Sequence, residues 1–102
     1  RTKGIQIQVE LVGDRPCAAP IDPQLHNRLI DRAKQAVQTY YNHEPHCGFG
    51  STDCNTPLSL GIPALSIGAY IGAKAHTREE YLEIDSLYPG LKVVFDLVLY
   101  HF

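Results

Sequence analysis

The chain opens on an alternation of apolar and polar residues. The apolar positions are Ile5, Ile7, Val9 and Leu11. A period of two with one apolar face is typical of a half-buried strand, and polar residues between them fit a sheet with one hydrated side. The pattern predicts a strand over residues 4–12, which ends at the turn-forming residues 13–16.

A second segment repeats its apolar residues at spacings of three and four, which is typical of an amphipathic helix. These residues are Leu25, Leu29, Ile30, Ala33, Ala36, Val37, Tyr40 and Tyr41. Asp22 is suited to cap this helix, and Pro23 is suited to its first position, where a missing N–H has no cost. A helix from Pro23 to about Tyr41 is therefore predicted. Its solvated face carries His26, Arg28, Asp31, Arg32, Lys34 and Gln38.

Shorter elements follow. One or two helical turns are predicted at residues 57–60, closed by Gly61, and a short buried strand at residues 62–68 with a neighbour near residues 46–49. A polar loop with small residues is predicted after it, up to His76.

The final predicted helix starts at Asp85 or Ser86 and has Pro89 in its first turn. Its apolar stripe consists of Leu87, Leu91, Val94, Phe95, Val98 and Phe102.

The order of these elements predicts an α/β fold. Two main helices would lie on a small sheet, as in part of a sandwich, and a separate strand would precede them. One short strand and its neighbour are too little sheet to cover two helices. The missing strands must therefore come from elsewhere, or the fold is small and irregular.

Composition narrows the classes of function. The 102 residues suffice for one domain, and 9 basic against 11 acidic residues give a charge of −2, which argues against a nucleic-acid-binding arm. The longest strongly apolar stretch, residues 93–102, is too short for a membrane span. Three cysteines cannot all pair within one chain, which favours a reducing compartment, the cytoplasm.

One cluster of candidate metal ligands lies between the first helix and residues 57–60. It consists of His43, His46, Cys47 and Cys54. Zinc prefers four nitrogen or sulfur ligands in a tetrahedron, but this spacing is not a strong ligand pattern. A polar loop with two small thiols is the more economical interpretation.

A second candidate is His76, which has a carboxylate, Glu80, four positions later. Ligands of open α/β sheets bind beyond the ends of the strands, where this histidine is predicted to lie. A nearby carboxylate can orient the second ring nitrogen of a metal-bound histidine. A single histidine is more often an ordinary surface or core residue.

A third candidate is the segment of residues 50–55. Glycine followed by Ser51, Thr52 and Asp53 at the start of a helix can offer N–H groups and hydroxyls to an anion. The same residues are equally suited to cap that helix, which is the more common role.

Together these segments resemble a known family. The motifs are Ser51-Thr52-Asp53 with Asn55, then Gly61-Ile62-Pro63-Ala64 with Ile67-Gly68, then Ala75-His76-Thr77 with Glu80. In this order they resemble the carboxyl-terminal third of the co-catalytic zinc exopeptidases related to carboxypeptidase G, aminoacylase and peptidase T. The resemblance covers essentially the whole chain.

The resemblance implies roles for particular residues. His76 matches a zinc ligand, and Glu80 matches a carboxylate that lies behind the metal or begins a helix. Ser51, Thr52 and Asp53 match a loop beside the active site, and Gly72 belongs to a segment whose backbone lies along the substrate. In such enzymes two zinc ions activate a water molecule for attack on an amide carbonyl.

The resemblance also implies how the chain is divided. Residues 1–14 match the last strand of a lid or dimerisation domain, and residues 15–102 match the carboxyl-terminal part of the catalytic domain. The general base, the bridging aspartate and the other zinc ligands of the family lie upstream and have no counterpart here.

Two functions therefore stay open. The first is an incomplete part of a di-zinc metallo-exopeptidase or amidohydrolase that acts on small peptides or N-acyl amino acids, with a homodimer as a possible assembly and no nucleic-acid or membrane partner. The second is a non-enzymatic interaction module that kept the fold and lost the chemistry.

Overall fold

A computed structural model describes residues 3–100 of the chain. Helix α1 spans Pro23–Tyr41, the short helix α2 spans Asn55–Ser59, and helix α3 spans Leu87–Tyr100. Strands β1 (Gly72–Ala73) and β2 (Tyr81–Leu82) form an antiparallel hairpin, and a single 3-10 turn at Ile84–Ser86 leads directly into α3. Among the described residues, no helix has both the length and the apolar character that crossing a membrane requires.

The predicted start and end of helix α1 are both confirmed. The Asp22 carboxylate accepts the N–H of Gln24 at 2.9 Å, and Pro23 occupies the first turn. The last helical hydrogen bond is donated by the N–H of Asn42 to the carbonyl of Gln38 at 2.9 Å, and the left-handed backbone of Asn42 (φ 57°) then ends the helix. Asparagine tolerates this conformation better than most residues, so the helix stops where its apolar spacing stops.

The core of the described residues lies between α1 and α3 and is small. Its buried apolar side chains are Ala33, Ala36 and Val93. Gly90 is also buried on α3 and lets the main chain at Ala69 cross the helix closely. Small side chains at the crossing allow the elements to approach, but they remove little apolar surface from water.

The prediction of which face of the last helix is buried was wrong. Four of its residues, Leu87, Leu91, Phe95 and Val98, are 44 to 63% exposed. The face that packs against α1 instead carries Gly90 and Val93. Nearly the whole circumference of α3 is apolar, so spacing alone did not identify its inner side. Phe102, the last predicted member of the stripe, lies outside the described residues.

One residue assigned to the solvated face of α1 joins the two helices. Arg32 donates to the carboxylate of Asp96 and, at 3.2 Å, to its main-chain carbonyl. Both side chains are mostly buried, at 21% and 17% exposure. Burial and the neighbouring Asp96 carboxylate raise the pKa of Tyr40. Arg32 was therefore wrongly predicted as a solvated residue, because its partner lies 64 positions away.

The predicted strands do not form ladders within residues 3–100. No β-pairing is found in that part of the chain for residues 4–12, for residues 62–68 or near residues 46–49. The only sheet among the described residues is the β1–β2 hairpin. A strand is stable only against a partner, and these segments find none among the described residues. The α/β class holds in its coarse form, as a small fold of helices with a two-stranded sheet.

Residues 3–12 are exposed to solvent throughout. Ile7, Val9 and Leu11 are each 84 to 89% exposed, so the predicted half-burial of this segment is not seen. The radius of gyration is 18.6 Å, well above the roughly 13 Å of a compact chain of 100 residues.

Candidate functional site

The hairpin carries the predicted ligand histidine. Gly72 pairs with Leu82 and Ala73 pairs with Tyr81, so residues 74–80 form the connecting loop. His76 is exposed within this loop. The hairpin was not predicted, because strands of two residues leave almost no periodic signal in a sequence.

Gly72 has a packing role that the sequence did not indicate. A Cβ atom at this position would lie 2.5 Å from the carbonyl oxygen of Tyr81 and 2.9 Å from the ring of Tyr70. Only glycine allows the two strands to approach at this pair. Whether its backbone also borders a substrate stays a prediction.

The loop holds two residues in the left-handed region. Lys74 has φ 58° and His76 has φ 65°. Residues other than glycine rarely adopt this conformation, and it persists where the surrounding contacts enforce it. Here the carbonyl of Lys74 accepts both the N–H of Thr77 at 3.1 Å and its hydroxyl at 2.7 Å.

Glu80 contacts His76 through the main chain. Its carboxylate oxygen Oε2 accepts the His76 N–H at 3.2 Å, and its own N–H donates to the carbonyl of Thr77 at 3.3 Å. The family resemblance predicts for Glu80 a carboxylate that lies behind the metal or begins a helix, and this role stays a prediction. The observed bond is to the backbone of the histidine.

A hydrogen-bonded anchor fixes the base of the hairpin to both long helices. The buried Ser86 hydroxyl accepts the N–H of Ile71 at 2.7 Å and donates to the carbonyl of Glu83 at 2.6 Å. The hydroxyl of Tyr41 in α1 donates to the Ser86 carbonyl at 2.8 Å, and burial raises the pKa of Tyr41. The sequence pattern predicted only a helix start for Ser86 and an apolar position on the first helix for Tyr41.

The segment of residues 51–53 is organised mainly by its own hydrogen bonds. The Thr52 hydroxyl accepts the Cys54 N–H at 3.2 Å and the Ser66 hydroxyl at 3.1 Å. The Thr52 N–H donates to the side-chain oxygen of Asn55 at 3.0 Å. These bonds use N–H and hydroxyl groups that an anion would need. They do not form the predicted helix cap, because the residue before α2 is Cys54 and the start of the helix has no side-chain cap hydrogen bond.

The other two residues of that segment are open to solvent. Ser51 is exposed, and the fully exposed carboxylate of Asp53 lies 3.7 Å from the guanidinium of Arg15. An exposed pair of this kind contributes little to stability. Both side chains are accessible to a small molecule.

Thr52 and the hairpin border different concavities. Thr52 lines an open groove of about 470 Å³ between α1, residues 45–50, α2 and residues 64–68. Gly72 and Glu80 line a second hollow of about 510 Å³ along residues 67–81. The described residues therefore do not bring the two predicted halves of the site into one cavity.

The histidine, cysteine and acidic side chains of the described residues do not form a complete zinc site. Within residues 3–100, no group of three or more histidine, cysteine, aspartate or glutamate side chains is placed to hold a metal ion. The structure thus does not assemble His43, His46, Cys47 and Cys54 into a site, and their thiols are free. His76 supplies one exposed imidazole, whereas catalytic zinc needs about three protein ligands.

Comparison with protein families gives one result. Residues 5–100 match the model of peptidase family M20/M25/M40, which includes all three motifs and the hairpin. The class is therefore that of metallopeptidases and related amidohydrolases. The chain belongs to peptidase family M20/M25/M40, and the resemblance seen in its motifs is confirmed. Comparisons with curated proteins and with solved structures gave no match.

Proposed function

We propose that this chain is the carboxyl-terminal part of a di-zinc exopeptidase or amidohydrolase that hydrolyses small peptides or N-acyl amino acids. The observation that carries the proposal is the family match over residues 5–100, which includes an exposed His76 at the loop of an anchored hairpin. In this proposal His76 is one zinc ligand. The remaining ligands and the general base come from outside residues 3–100.

The packing of the chain supports an incomplete domain. Only three apolar side chains are buried among the described residues, and the radius of gyration is that of an extended body. Residues 64–68 line the open groove beside α1 and have no β-pairing within the described part of the chain, and we propose that further strands cover them. We assign residues 15–102 to the catalytic domain and residues 1–14 to the last strand of a lid or dimerisation domain.

The substrate side of the site is proposed on exposure and position. Ser51, Asp53 and the second hollow at Gly72 are accessible, and Thr52 holds its loop in place. We propose that these groups border the substrate once the upstream part of the protein closes the gap between the two concavities.

We expect the 102-residue chain by itself to be inactive, because one ligand and no general base cannot sustain the reaction. The test compares purified chain with the same chain extended by the segment that precedes it in its gene. Both are supplied with zinc and assayed on dipeptides and on N-acetyl amino acids. Hydrolysis only by the extended protein supports the proposal.

Two outcomes of this assay contradict the proposal. One is zinc-dependent hydrolysis by the 102-residue chain, free of contaminating peptidase. The other is an upstream segment that contains no histidine or acidic ligands and restores no activity. The second outcome would favour a non-enzymatic interaction module.

We propose further that residues 4–12 pair with a second copy of the chain. The segment exposes Ile7, Val9 and Leu11, and each aliphatic side chain gains roughly 1.5–3 kcal/mol on burial before entropy is counted. Its unpaired main-chain groups favour addition of another strand. Light scattering should find a dimer for the full chain and a monomer for a chain that starts at Gly13.

Equal monomer masses for both chains, together with slow amide exchange in residues 4–12, would contradict this pairing. They would show that the strand has a partner within its own chain.

A further inference from the structure

We infer that Glu80 is a positioning residue that fixes His76 through the main chain and not through the imidazole ring. The observation is the hydrogen bond from the His76 N–H to Glu80 Oε2, at 3.2 Å. The inference rests on the proposed function in one respect, which is that His76 ligates zinc.

The need for such a contact comes from the backbone of the loop. Lys74 and His76 both have positive φ, at 58° and 65°, with one residue between them. Side chains other than glycine occupy this region only where neighbouring contacts enforce it. A loop of seven residues between two-residue strands has little other support, because the ladder consists of two residue pairs.

The enforcing contacts form a reciprocal set within the motif. The carbonyl of Lys74 accepts two bonds from Thr77, and the carbonyl of Thr77 accepts the N–H of Glu80. The Glu80 carboxylate then returns to the N–H of His76. Helix capping boxes use the same logic, in which a glutamate side chain reaches back to a main-chain N–H while its own N–H is bound nearby.

This arrangement accounts for the spacing of the motif in physical terms. A carboxylate four residues after the histidine is at the right distance to accept the histidine's N–H across the turn. His76 stays exposed, and the fixed backbone holds its Cα–Cβ bond in one direction before a metal arrives. A ligand that is already ordered loses less conformational freedom on binding.

The test uses the complete 102-residue chain and three variants. Glu80→Gln keeps an acceptor oxygen and removes the charge, whereas Glu80→Ala removes both. Glu79→Ala is the matched control, because it removes a neighbouring carboxylate that has no bond to the His76 N–H. The first measurement is the hydrogen-exchange rate of the His76 amide by NMR.

We expect exchange to become about tenfold faster in Glu80→Ala, which is the factor for the upper end of the net contribution of an ordinary hydrogen bond. Glu80→Gln should stay within about threefold of the parent chain, and Glu79→Ala should not change the rate. The second measurement titrates zinc and follows the ring signals of His76. Glu80→Ala should need more zinc for the same response, and Glu80→Gln should resemble the parent chain.

The inference is overturned if Glu80→Ala leaves the amide exchange of His76 unchanged. It is also overturned if Glu80→Gln behaves like Glu80→Ala, because the charge and not the acceptor would then matter. If the ring signals of His76 in the parent chain do not change when zinc is added, this result counts against His76 as a zinc ligand. The amide exchange still decides the positioning role in that case, so the two failures are distinguishable.

Discussion

Gly90→Ala is expected to lower the free energy of unfolding by about 3 kcal/mol or more, the upper range for overpacking. A Cβ atom at this position would lie 1.8 Å from the carbonyl oxygen of Ala69 and 2.7 Å from the hydroxyl of Tyr41. The clash is with main chain, which cannot rotate away as a side chain can. Alanine gains about 1 kcal/mol in helix propensity over glycine, which is too little to compensate.

Urea unfolding of the full chain measures this effect. Gly48→Ala is the matched control, because a Cβ atom there meets nothing within 4 Å. The Gly90 variant should unfold at a much lower urea concentration than the Gly48 variant. Equal midpoints for the two variants would show that Ala69 does not cross α3 closely.

Local signals in the sequence were sufficient for helix α1. Asp22 and Pro23 define its start, and the apolar spacing persists to Tyr41, where the helix ends. These features depend on residues within one or two turns, so they can be read without knowledge of the rest of the chain.

The inner face of α3 could not be predicted in the same way. Apolar residues surround the helix, and its orientation depends on distant partners such as Ala69 at Gly90 and Arg32 at Asp96. The predictions of strands at residues 4–12 and 62–68 were wrong for a related reason. Their alternation or apolar character describes what the segments could pair with, but the described residues contain no partner for them.

Candidate site residues could be proposed from the ordered motifs, and their roles stay predictions, but the geometry around them could not be predicted. The ordered motifs pointed to His76 and Glu80, and the family match agrees with the resemblance that they carry. The left-handed backbone at His76 and the anchor at Ser86 depend on hydrogen bonds that no periodic pattern encodes. Lys74 in the left-handed region gave no signal either, since lysine is not favoured there.

The second large effect concerns activity. In the protein extended by its upstream segment, His76→Ala should lower kcat/KM for the preferred substrate by at least about a thousandfold, because removal of one essential group disables the whole set. His43→Ala is the matched control, as it removes another exposed histidine that lies outside the hairpin and lines neither concavity. The control should keep nearly full activity and the same unfolding midpoint as the parent.

A His43 variant that loses as much activity as the His76 variant would contradict the assignment of the ligand. Circular dichroism on both variants establishes that neither loss comes from unfolding.

The zinc content of the extended protein after dialysis decides whether His76 ligates a catalytic zinc ion. The parent protein and His43→Ala should retain two zinc ions per chain, as expected of a co-catalytic site. His76→Ala should retain measurably less and should lose activity in the same preparation. If His76→Ala holds as much zinc as the parent and hydrolyses substrate at the same rate, His76 is not a ligand and the proposed zinc site is wrong.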